Sequence, residues 1–429
     1  MKHQRLPLFI LIALASCLSA CDNAPTASTA SGDKSAATPA AATSAEASLP
    51  KPDYAAIAQK LVAQCAGIKE GEIVQISGEI KDAELLEEIS LAVRKLGAFP
   101  LTQMYSYNEA RARRALQEMP TKWDAQIDQA GLKLAGLVNA SITLANNEGN
   151  NLMEDFPQER LNAMFKANEP INALRRRRNI RNIVLGGNGL YPNPRNAETL
   201  GLTQAELSNI FWNGINTDYT QLQADGEKYR QLLATAKEVH LTHPNGTDLK
   251  VKIEKRPVFA SDGVVSAEDN KRGDVATQVW LPAGEVYVTP VPGTAEGRIV
   301  VDRDNYTGAN GDTLIEGLTL DFKAGKLVSM TARAGLEPFK KAYDKITGKG
   351  TEGKDQFRMI DLGINRSLVL GPKAKRGDYA PAGMVSIGYG GNVQYGGENK
   401  AFGGYEASLP GCTLKLDGKV VVENGALKQ

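Results

Sequence analysis

Alternation between strand-like and helix-like segments over residues 55–185 restricts the fold of this chain more than any other feature of its sequence. Apolar residues recur at helical spacing in some segments, and short apolar runs lie between them. The pattern predicts helices over 55–65, 83–96 and 158–173, and strands over 72–76, 101–105, 134–144 and 182–185. Because such alternation is typical of helices packed on a sheet, we predict an α/β domain with a partly parallel sheet.

The character of the sequence changes after residue 238. Two more helices are predicted over 203–215 and 217–238, and beyond them short β-rich runs are separated by glycine turns. These turns include Asn245-Gly246, Asp262-Gly263 and Gly390-Gly391, which are typical of tight connections between strands. We therefore predict two domains, an N-terminal α/β domain over 51–238 and a C-terminal β-rich α+β domain over 239–429.

The first twenty residues have the order of an export signal. Two basic residues precede an apolar run over 6–15, and the small residues that follow end in Leu18-Ser19-Ala20-Cys21. The apolar run is too short to span a bilayer as a mature helix. The last four residues resemble the bacterial lipobox, which implies a lipoprotein signal peptide over 1–20 and a lipidated Cys21. An ordinary signal peptide that is cut nearby and leaves Cys21 as a free thiol is the alternative.

The segment that follows Cys21 is composed almost entirely of Ala, Ser, Thr and Pro up to residue 50. Such a composition cannot bury enough apolar surface to offset the entropy that ordering costs, so we predict a disordered tether over 21–50. With acyl chains on Cys21, we expect a lipid-anchored membrane protein of the cell envelope, with its body in the periplasm. The inner and the outer membrane are both open as its location.

The charge of the chain argues against nucleic acid as a partner. There are 50 Lys and Arg against 49 Asp and Glu, a formal net charge of +1, whereas phosphate binding needs a basic face. The basic run Arg175 to Arg178 follows a predicted helix, so we interpret it as a solvated helix end rather than an anion site. Cys65 and Cys412 are predicted to be separate buried thiols, and a disulfide between them is the alternative.

Four segments of the second domain resemble, in order, the metal-dependent aminopeptidase T family, also called the leucyl aminopeptidase T or thermophilic aminopeptidase family. They are Asn245-Gly246-Thr247-Asp248-Leu249, Leu281-Pro282-Ala283-Gly284-Glu285-Val286-Tyr287, Ile360-Asp361-Leu362-Gly363-Ile364-Asn365, and the glycine-rich stretch from Gly388 to Gly397. The second segment is the most specific match. The resemblance implies a C-terminal domain of aminopeptidase T type and removal of N-terminal residues from peptides. It also leaves a homodimer open.

The family resembled here holds its metals with two glutamates, two histidines and an aspartate. Glu285 and Asp361 stand where the glutamates are expected, and Glu406 stands at the aspartate position. The histidine positions fall on Met384 and Gly404, so neither imidazole is present. Because only carboxylate oxygens remain, the resemblance implies that Mg, Mn or Ca is favoured over Zn or Co, and that the site alternatively holds no metal at all.

Two other groups of residues lie in or near the resembled segments. His240 and His243 lie in the strand that leads into the Asn245-Gly246 turn, so we predict that they are surface residues of that strand. Tyr389 and Tyr395 lie in the glycine-rich stretch, and we interpret them as core or lining aromatics. No residue is assigned as catalytic from the sequence.

Two functions are compatible with these patterns. The first is an exported lipoprotein aminopeptidase with a reorganised metal site, which the family resemblance favours. The second is a non-catalytic descendant that binds peptides, a partner or one cation, which the loss of both histidines favours. A purely structural envelope protein is the residual alternative, and whether the chain is an enzyme is left open.

Overall fold

The structure is a computed structural model that describes residues 52–146, 148–150, 152, 156–308, 311–347, 350–369, 381–401 and 404–428. The predictions for residues 1–50, including lipidated Cys21 and most of the tether, lie outside this range. No helix among the described residues is both long enough and apolar enough to cross a membrane.

A parallel sheet of five strands forms the first layer, and it confirms the predicted α/β architecture. The strand order is β2-β1-β3-β4-β8, and each neighbouring pair is parallel. The central strand β3 is buried along its whole length, as expected for a sheet covered on both faces. The strands are β1 (Ile73–Glu79), β2 (Phe99–Tyr105), β3 (Ala140–Leu144), β4 (Arg181–Leu185) and β8 (Gln278–Leu281).

Eight helices accompany this layer in the described part of the first 238 residues. Their apolar faces lie at helical spacing; α2, for example, buries Leu85, Leu86, Ile89 and Val93 and ends before Gly97, whose φ is +73°. They are α1 (Tyr54–Gln59, continued by a π-helical turn Lys60–Cys65), α2 (Ala83–Lys95), α3 (Glu109–Glu118), α4 (Gln129–Leu137), α5 (Gln158–Arg177), α6 (Pro194–Leu200), α7 (Gln204–Ile215) and α8 (Tyr219–Thr235).

The prediction of one strand over 134–144 was wrong in its first half. Helix α4 extends to Leu137, and β3 begins only at Ala140. The Asp128 side chain caps α4 by accepting the Ala130 N–H at 2.9 Å. A short apolar run fits either a strand or a buried helix, and here the cap upstream of the run favours the helix.

The interpretation of the basic run as a solvated helix end was also wrong for two of its members. Arg175 folds back onto the parallel sheet and donates to Ser141 Oγ at 2.9 Å, and burial lowers its pKa to about 10. Arg178 donates to the carbonyls of Ala135 and Val138 at 2.8 and 2.6 Å, which satisfies acceptors at the end of α4. A run of four basic residues therefore does not mean that all four side chains are exposed to solvent.

An antiparallel sheet of eight strands, sheet B, forms the second layer. Its order is β12-β11-β10-β6-β5-β16-β17-β18, so the last strands of the chain pair with the first strand after α8. The strands are β5 (Glu238–His243), β6 (Thr247–Lys252), β10 (Glu296–Gly308), β11 (Gly311–Lys323), β12 (Lys326–Thr331), β16 (Thr413–Leu416), β17 (Lys419–Glu423) and β18 (Ala426–Leu427). Two short helices accompany the β-rich part, α9 (Ala267–Arg272) and α10 (Leu336–Lys345).

A second antiparallel sheet, sheet C, has the order β15-β14-β13-β9-β7. It is built from β7 (Val258–Ser261), β9 (Glu285–Val288), β13 (Phe357–Gly363), β14 (Val385–Gly390) and β15 (Gly404–Leu409). Helix α8 packs against β7 and β9. The β-rich second part of the chain agrees with the prediction.

Strand β8 connects the two parts of the molecule. It lies 40 residues beyond the predicted domain boundary, from residue 238 to residue 278, yet it pairs with β4 in the parallel sheet. Only Pro282, Ala283 and Gly284 separate it from β9 in sheet C. The boundary after residue 238 stays a prediction, but the parallel sheet takes one strand from beyond it.

Cys65 and Cys412 are free thiols, and both are fully buried. Burial raises the pKa of each thiol to about 12, so neither is a thiolate at neutral pH. The prediction of two separate buried thiols is confirmed.

Candidate functional site

The two faces of sheet C differ in chemistry because side chains alternate along each strand. One face is apolar and is covered by α8: a Cβ on Gly226 of that helix would lie 3.6 Å from Ala260 Cβ. This apolar face consists of Val258, Ala260, Val286, Val288, Ile360, Leu362, Val385, Ile387, Ala407 and Leu409. The opposite face, which we call the polar face, carries Phe259, Ser261, Glu285, Tyr287, Asp361, Ser386, Glu406 and Ser408.

Strand register brings the three predicted acids onto the polar face. Tyr287, two residues after Glu285 in β9, is directly opposite Asp361 in β13. Asp361 is opposite Ser386, and Gly388, two residues further along β14, is opposite Glu406 in β15. All three residues are partly exposed, although Oδ1 of Asp361 is buried. Residues that are 121 positions apart in the sequence thus lie on one face of the sheet.

The segment around Glu285 is fixed by the buried Asn365. The Asn365 side chain donates to the Ala283 carbonyl at 2.6 Å and to the Gly214 carbonyl at 3.4 Å. Gly284 has φ +130°, and a Cβ at this position would lie 2.4 Å from Asn365 Cβ. Only glycine fits this close approach. Asn365 and Gly284 therefore set the start of β9 and, with it, the position of Glu285.

Glu285 and Asp361 both affect the pKa of the same tyrosine hydroxyl. Burial raises the pKa of the Tyr287 hydroxyl, and the negative charges of Glu285 and Asp361 raise it further. The Tyr287 ring stacks on Phe259, with 5.9 Å between the ring centroids. These two acids consequently flank a neutral tyrosine that stays protonated at physiological pH.

Glu406 is held at the other side of the polar face by Tyr395, which lies in a 3₁₀ turn (Val393–Tyr395). The Tyr395 hydroxyl donates to Glu406 Oε1 at 2.7 Å. Burial and the negative charge of Glu406 raise the pKa of this hydroxyl well above its usual range. The rings of Tyr395 and Tyr287 meet edge to face at 5.5 Å between centroids. The interpretation of both tyrosines as core or lining aromatics is confirmed, because Tyr395 lines the polar face and Tyr389 is buried among aromatic residues of the core.

Sequence reasoning missed Arg358, which contributes a cation to the polar face. Its guanidinium carbon lies 4.9 Å from the centroid of the Tyr395 ring, within cation–π range. A β-bulge between Phe357 and Ile360 shifts the alternation of β13 and turns Arg358 toward the same face as Asp361. The one signal in the sequence is a basic residue, three positions before Asp361, inside a strand that is otherwise apolar.

Met384 and Gly404, the two positions where the resemblance implied histidines, are in surroundings that do not suit a metal ligand. Met384 is buried immediately before β14, and a thioether is a poor ligand for hard or borderline divalent cations. A Cβ at Gly404 would lie 2.8 Å from the Tyr389 carbonyl oxygen and 3.0 Å from Arg358 Nη1. An imidazole at residue 404 would therefore displace Arg358, and the guanidinium occupies part of the space that such a side chain would need.

No group of three or more His, Cys, Asp or Glu side chains among the described residues is placed to hold a metal ion. Glu406 is separated from Asp361 by the width of β14 and is already bonded to Tyr395. His240 and His243 lie in β5 of sheet B, as predicted, where they contact Asp248 and the Asn245 N–H. The described residues therefore do not bring the three predicted ligands together as a metal-binding group.

The carboxyl edge of the parallel sheet is the other place where an α/β fold commonly binds ligands. Asp82 follows β1 there and accepts from Tyr191 Oη and Asn146 Nδ2, each at 2.9 Å. Asn193 in turn donates to Asn146 Oδ1 at 2.9 Å. These polar groups bond to one another, so we interpret them as a structural network.

Comparison with known proteins agrees with this fold. The family model of the thermophilic metalloproteases (M29) matches residues 51–349, a range that includes Glu285 but ends before Asp361 and Glu406. Aminopeptidase AmpS of Bacillus subtilis (strain 168) is 26% identical over 125 residues, which are 29% of this chain and 28% of AmpS. The alignment thus spans less than a third of that relative.

Two solved structures have the same fold at low sequence identity. Wild-type AmpT from Thermus thermophilus has a TM-score of 0.64 and 18% identity, over 88% of this chain and 99% of AmpT. The 2,5-dihydroxypyridine dioxygenase from Pseudomonas putida KT2440 has a TM-score of 0.54 and 14% identity, over 87% of this chain and 96% of the enzyme. The family match covers most of the chain and confirms the resemblance found in the sequence: this protein belongs to the thermophilic metalloprotease (M29) family of aminopeptidases.

Proposed function

We propose that the polar face of sheet C binds peptides by their N-terminal end, and that peptide hydrolysis at this site is weak or absent. The observation that carries the proposal is the placement of Glu285, Asp361 and Glu406 on one face of sheet C, with no histidine among its described residues. Membership of an aminopeptidase family supports a peptide ligand. The proposal includes the anchor, with Cys21 lipidated and the body in the periplasm.

Charge and polarity on this face favour an ammonium group as the part of the peptide that is recognised. Asp361 is opposite Tyr287 in the sheet and Glu285 is two residues before it, and the negative charges of both acids raise the pKa of the Tyr287 hydroxyl, which stays neutral. A carboxylate is the natural partner of a peptide α-ammonium group, through charge-assisted hydrogen bonds. The same two residues are therefore proposed to select peptides with a free N-terminus.

A second candidate is aminopeptidase activity supported by a single, loosely held Mg, Mn or Ca ion. Family membership and the proximity of Glu285 and Asp361 to one ring favour it. Oxygen ligands suit these hard cations, whereas Zn and Co lose the advantage that imidazole gives them. A lone cation cannot clamp both the attacking and the leaving group, so turnover on leucyl or alanyl substrates is expected to be weak.

Titration calorimetry with leucyl-alanyl-alanine tests the proposal. We expect binding to the wild type, loss of binding on N-acetylation of the peptide, and at least tenfold weaker binding to Glu285→Gln. The control is Glu254→Gln, an exposed glutamate in the turn after β6, which should bind as the wild type does. Equal binding of the free and N-acetylated peptides would show that the carboxylates do not recognise an ammonium group.

Metal analysis of the purified, unchelated protein together with a peptidase assay separates the two candidates. The binding proposal predicts substoichiometric metal and little turnover with zinc or cobalt. Tight stoichiometric zinc with rapid turnover would contradict both candidates, because it would require ligands other than Glu285, Asp361 and Glu406.

The anchor is tested by Cys21→Ser. This change removes the thiol that accepts lipid, so the protein should move from the detergent phase to the aqueous phase on phase partitioning. Mature wild-type protein that starts at a residue other than Cys21, or that carries no lipid mass there, would contradict the anchor.

A further inference from the structure

Strand β2 forms an exposed edge of the parallel sheet. It pairs with β1 on one side, and helix α2 packs on one of its faces, where Ser90 Oγ lies 2.7 Å from Thr102 Oγ1. Phe99 is 61% exposed and Met104 is 38% exposed, although both side chains are large and apolar. An edge strand with exposed apolar side chains is a template for pairing with another strand.

The backbone groups that β1 does not use belong to alternate residues of β2. The Phe99 N–H donates to the Glu72 carbonyl at 2.8 Å, so every second residue from Phe99 onward has its backbone turned toward β1. The backbones of Pro100, Thr102 and Met104 therefore point away from the sheet. Proline is accepted in a strand where its missing N–H would face solvent, so Pro100 is consistent with an edge that has no neighbour within one chain.

We propose that this edge binds the same edge of a second copy of the chain, in antiparallel orientation about a two-fold axis at Gln103. With the axis at this residue, the N–H and C=O groups of Thr102 bond to those of Met104 in the second copy, and symmetry forms the same pair again. Pro100 lies outside both pairs, so its missing N–H costs no bond between them. The parallel sheets of the two copies join into one continuous sheet.

The side chains of β2 suit pairing with a second copy. The strand, Phe-Pro-Leu-Thr-Gln-Met-Tyr, contains no charged residue, so two copies meet without repulsion between like charges. The axis at Gln103 places Leu101 opposite Tyr105 of the second copy and brings Phe99 diagonally next to that tyrosine. Cross-strand pairs of aromatic and apolar side chains stabilise a sheet, and this pairing covers the exposed Phe99 ring.

The other sheet edges are less suited to pairing. Strands β7 and β8 have four residues each and β18 has two, whereas β2 has seven. Strand β12 begins with Lys326 and β15 carries Glu406, and both short length and charge protect a strand edge. Pro100 protects β2 only at its own position, because Thr102 and Met104 keep their N–H groups.

Gel filtration with light scattering on the full-length protein in detergent tests the proposal. Micelles are kept in excess over protein, so that two chains share a micelle only when they bind each other. A pair of seven-residue strands is a small interface, so we expect the wild type to form a dimer that dissociates on dilution at roughly micromolar concentration.

Two variants should weaken this dimer at least tenfold. Thr102→Pro removes an outward N–H without removing a backbone hydrogen bond to β1, and Met104→Lys adds a positive charge to the edge of each copy. The matched control is Val328→Lys, which places the same charge at a 61% exposed position of edge strand β12 and should dimerise as the wild type does.

Disulfide cross-linking of Gln103→Cys tests the position of the axis. Opposite residues in a pair without backbone hydrogen bonds have Cα atoms about 4.5 Å apart, which a disulfide can bridge. Under mild oxidation, non-reducing electrophoresis should show a cross-linked dimer that forms at least tenfold faster than with Val328→Cys. Cys65 and Cys412 are buried, so they do not compete.

Three results would overturn the inference. They are a wild type that stays monomeric up to about 100 μM, a dimer that is equally stable in Thr102→Pro and Met104→Lys, and equal cross-linking rates for the two cysteine variants. The cross-linking experiment needs neither the proline nor the lysine variant, so it decides the question even if these do not fold. Because β2 lies outside sheet C, the result is independent of peptide binding at the polar face.

Discussion

Two buried arginines, one in each part of the molecule, have opposite environments. Arg181 in the parallel sheet is 5% exposed, forms an ion pair with Glu72 at 2.5 Å and donates to the Gly67 carbonyl at 2.9 Å. Arg358 in sheet C is almost as buried, but it rests on an aromatic ring with its Nε unpartnered among the described residues. Removing one member of a buried ion pair leaves the other charge without its partner, whereas replacing a buried charge that forms no ion pair leaves no opposite charge behind.

The first prediction tests the paired member of this comparison. Arg181→Met should lower the free energy of unfolding by about 4 kcal/mol, because it strands Glu72 and the Gly67 carbonyl next to an apolar side chain. Urea denaturation followed by circular dichroism measures the change. Peptide binding by the fraction that remains folded should not change. A loss below about 1 kcal/mol would remove the basis for treating the two arginines differently.

The second prediction concerns Asp262 at the end of β7, whose environment is intermediate between those of Arg181 and Arg358. It accepts the Val264 N–H at 3.2 Å, and burial raises its pKa to about 7 from an ordinary 3.8. Because the folded state binds this proton more tightly than the unfolded state, stability is highest at low pH and is lost as pH rises from about 4 to about 7.

Asp262→Asn keeps an acceptor for the Val264 N–H and removes the buried charge. The variant should therefore be more stable than the wild type by about 2 kcal/mol at pH 8, a value that allows for partial solvent access to the carboxylate. At pH 4.5 the two proteins should differ by less than about 1 kcal/mol. A variant that is less stable than the wild type at pH 8 would show that the ionised carboxylate has a stabilising partner.

The third and smallest effect is expected for Arg358→Met in the absence of ligand. Methionine fills similar volume without a charge, so the free energy of unfolding should stay the same or rise by about 1 kcal/mol. Urea denaturation followed by circular dichroism measures the change. A loss of 3 kcal/mol or more would make Arg358 a structural residue like Arg181.

The sequence predicted the layers of this fold better than it predicted the site. Strands β1, β2 and β4 and helices α2 and α5 follow from local periodicity, which one segment determines by itself. The position of Glu285, Asp361 and Glu406 on one face depends on the register of strands that are far apart, and only the family resemblance pointed to it. Arg358 was not predicted as a site residue, because a bulge in β13 and not the regular alternation of the strand decides which face it occupies.

The sheet that β8 joins could not be predicted from local patterns either. A four-residue run, Gln278 to Leu281, fits either sheet, and long-range pairing assigns it to the parallel one. The apolar run over 134–144 was predicted as one strand for a similar reason. Its first half is helical because Asp128, which caps the helix, lies before the run.

Strand β8 lies far beyond the other strands of its sheet in the sequence, and this order affects how the chain folds. During synthesis the first four strands of the parallel sheet are complete by residue 185, but the edge of β4 has no neighbour until residues 278–281 have been made. An open strand edge is a template for pairing with other chains. A nascent or truncated chain that stops near residue 238 would therefore be prone to aggregation, and the two halves should mature together rather than in succession.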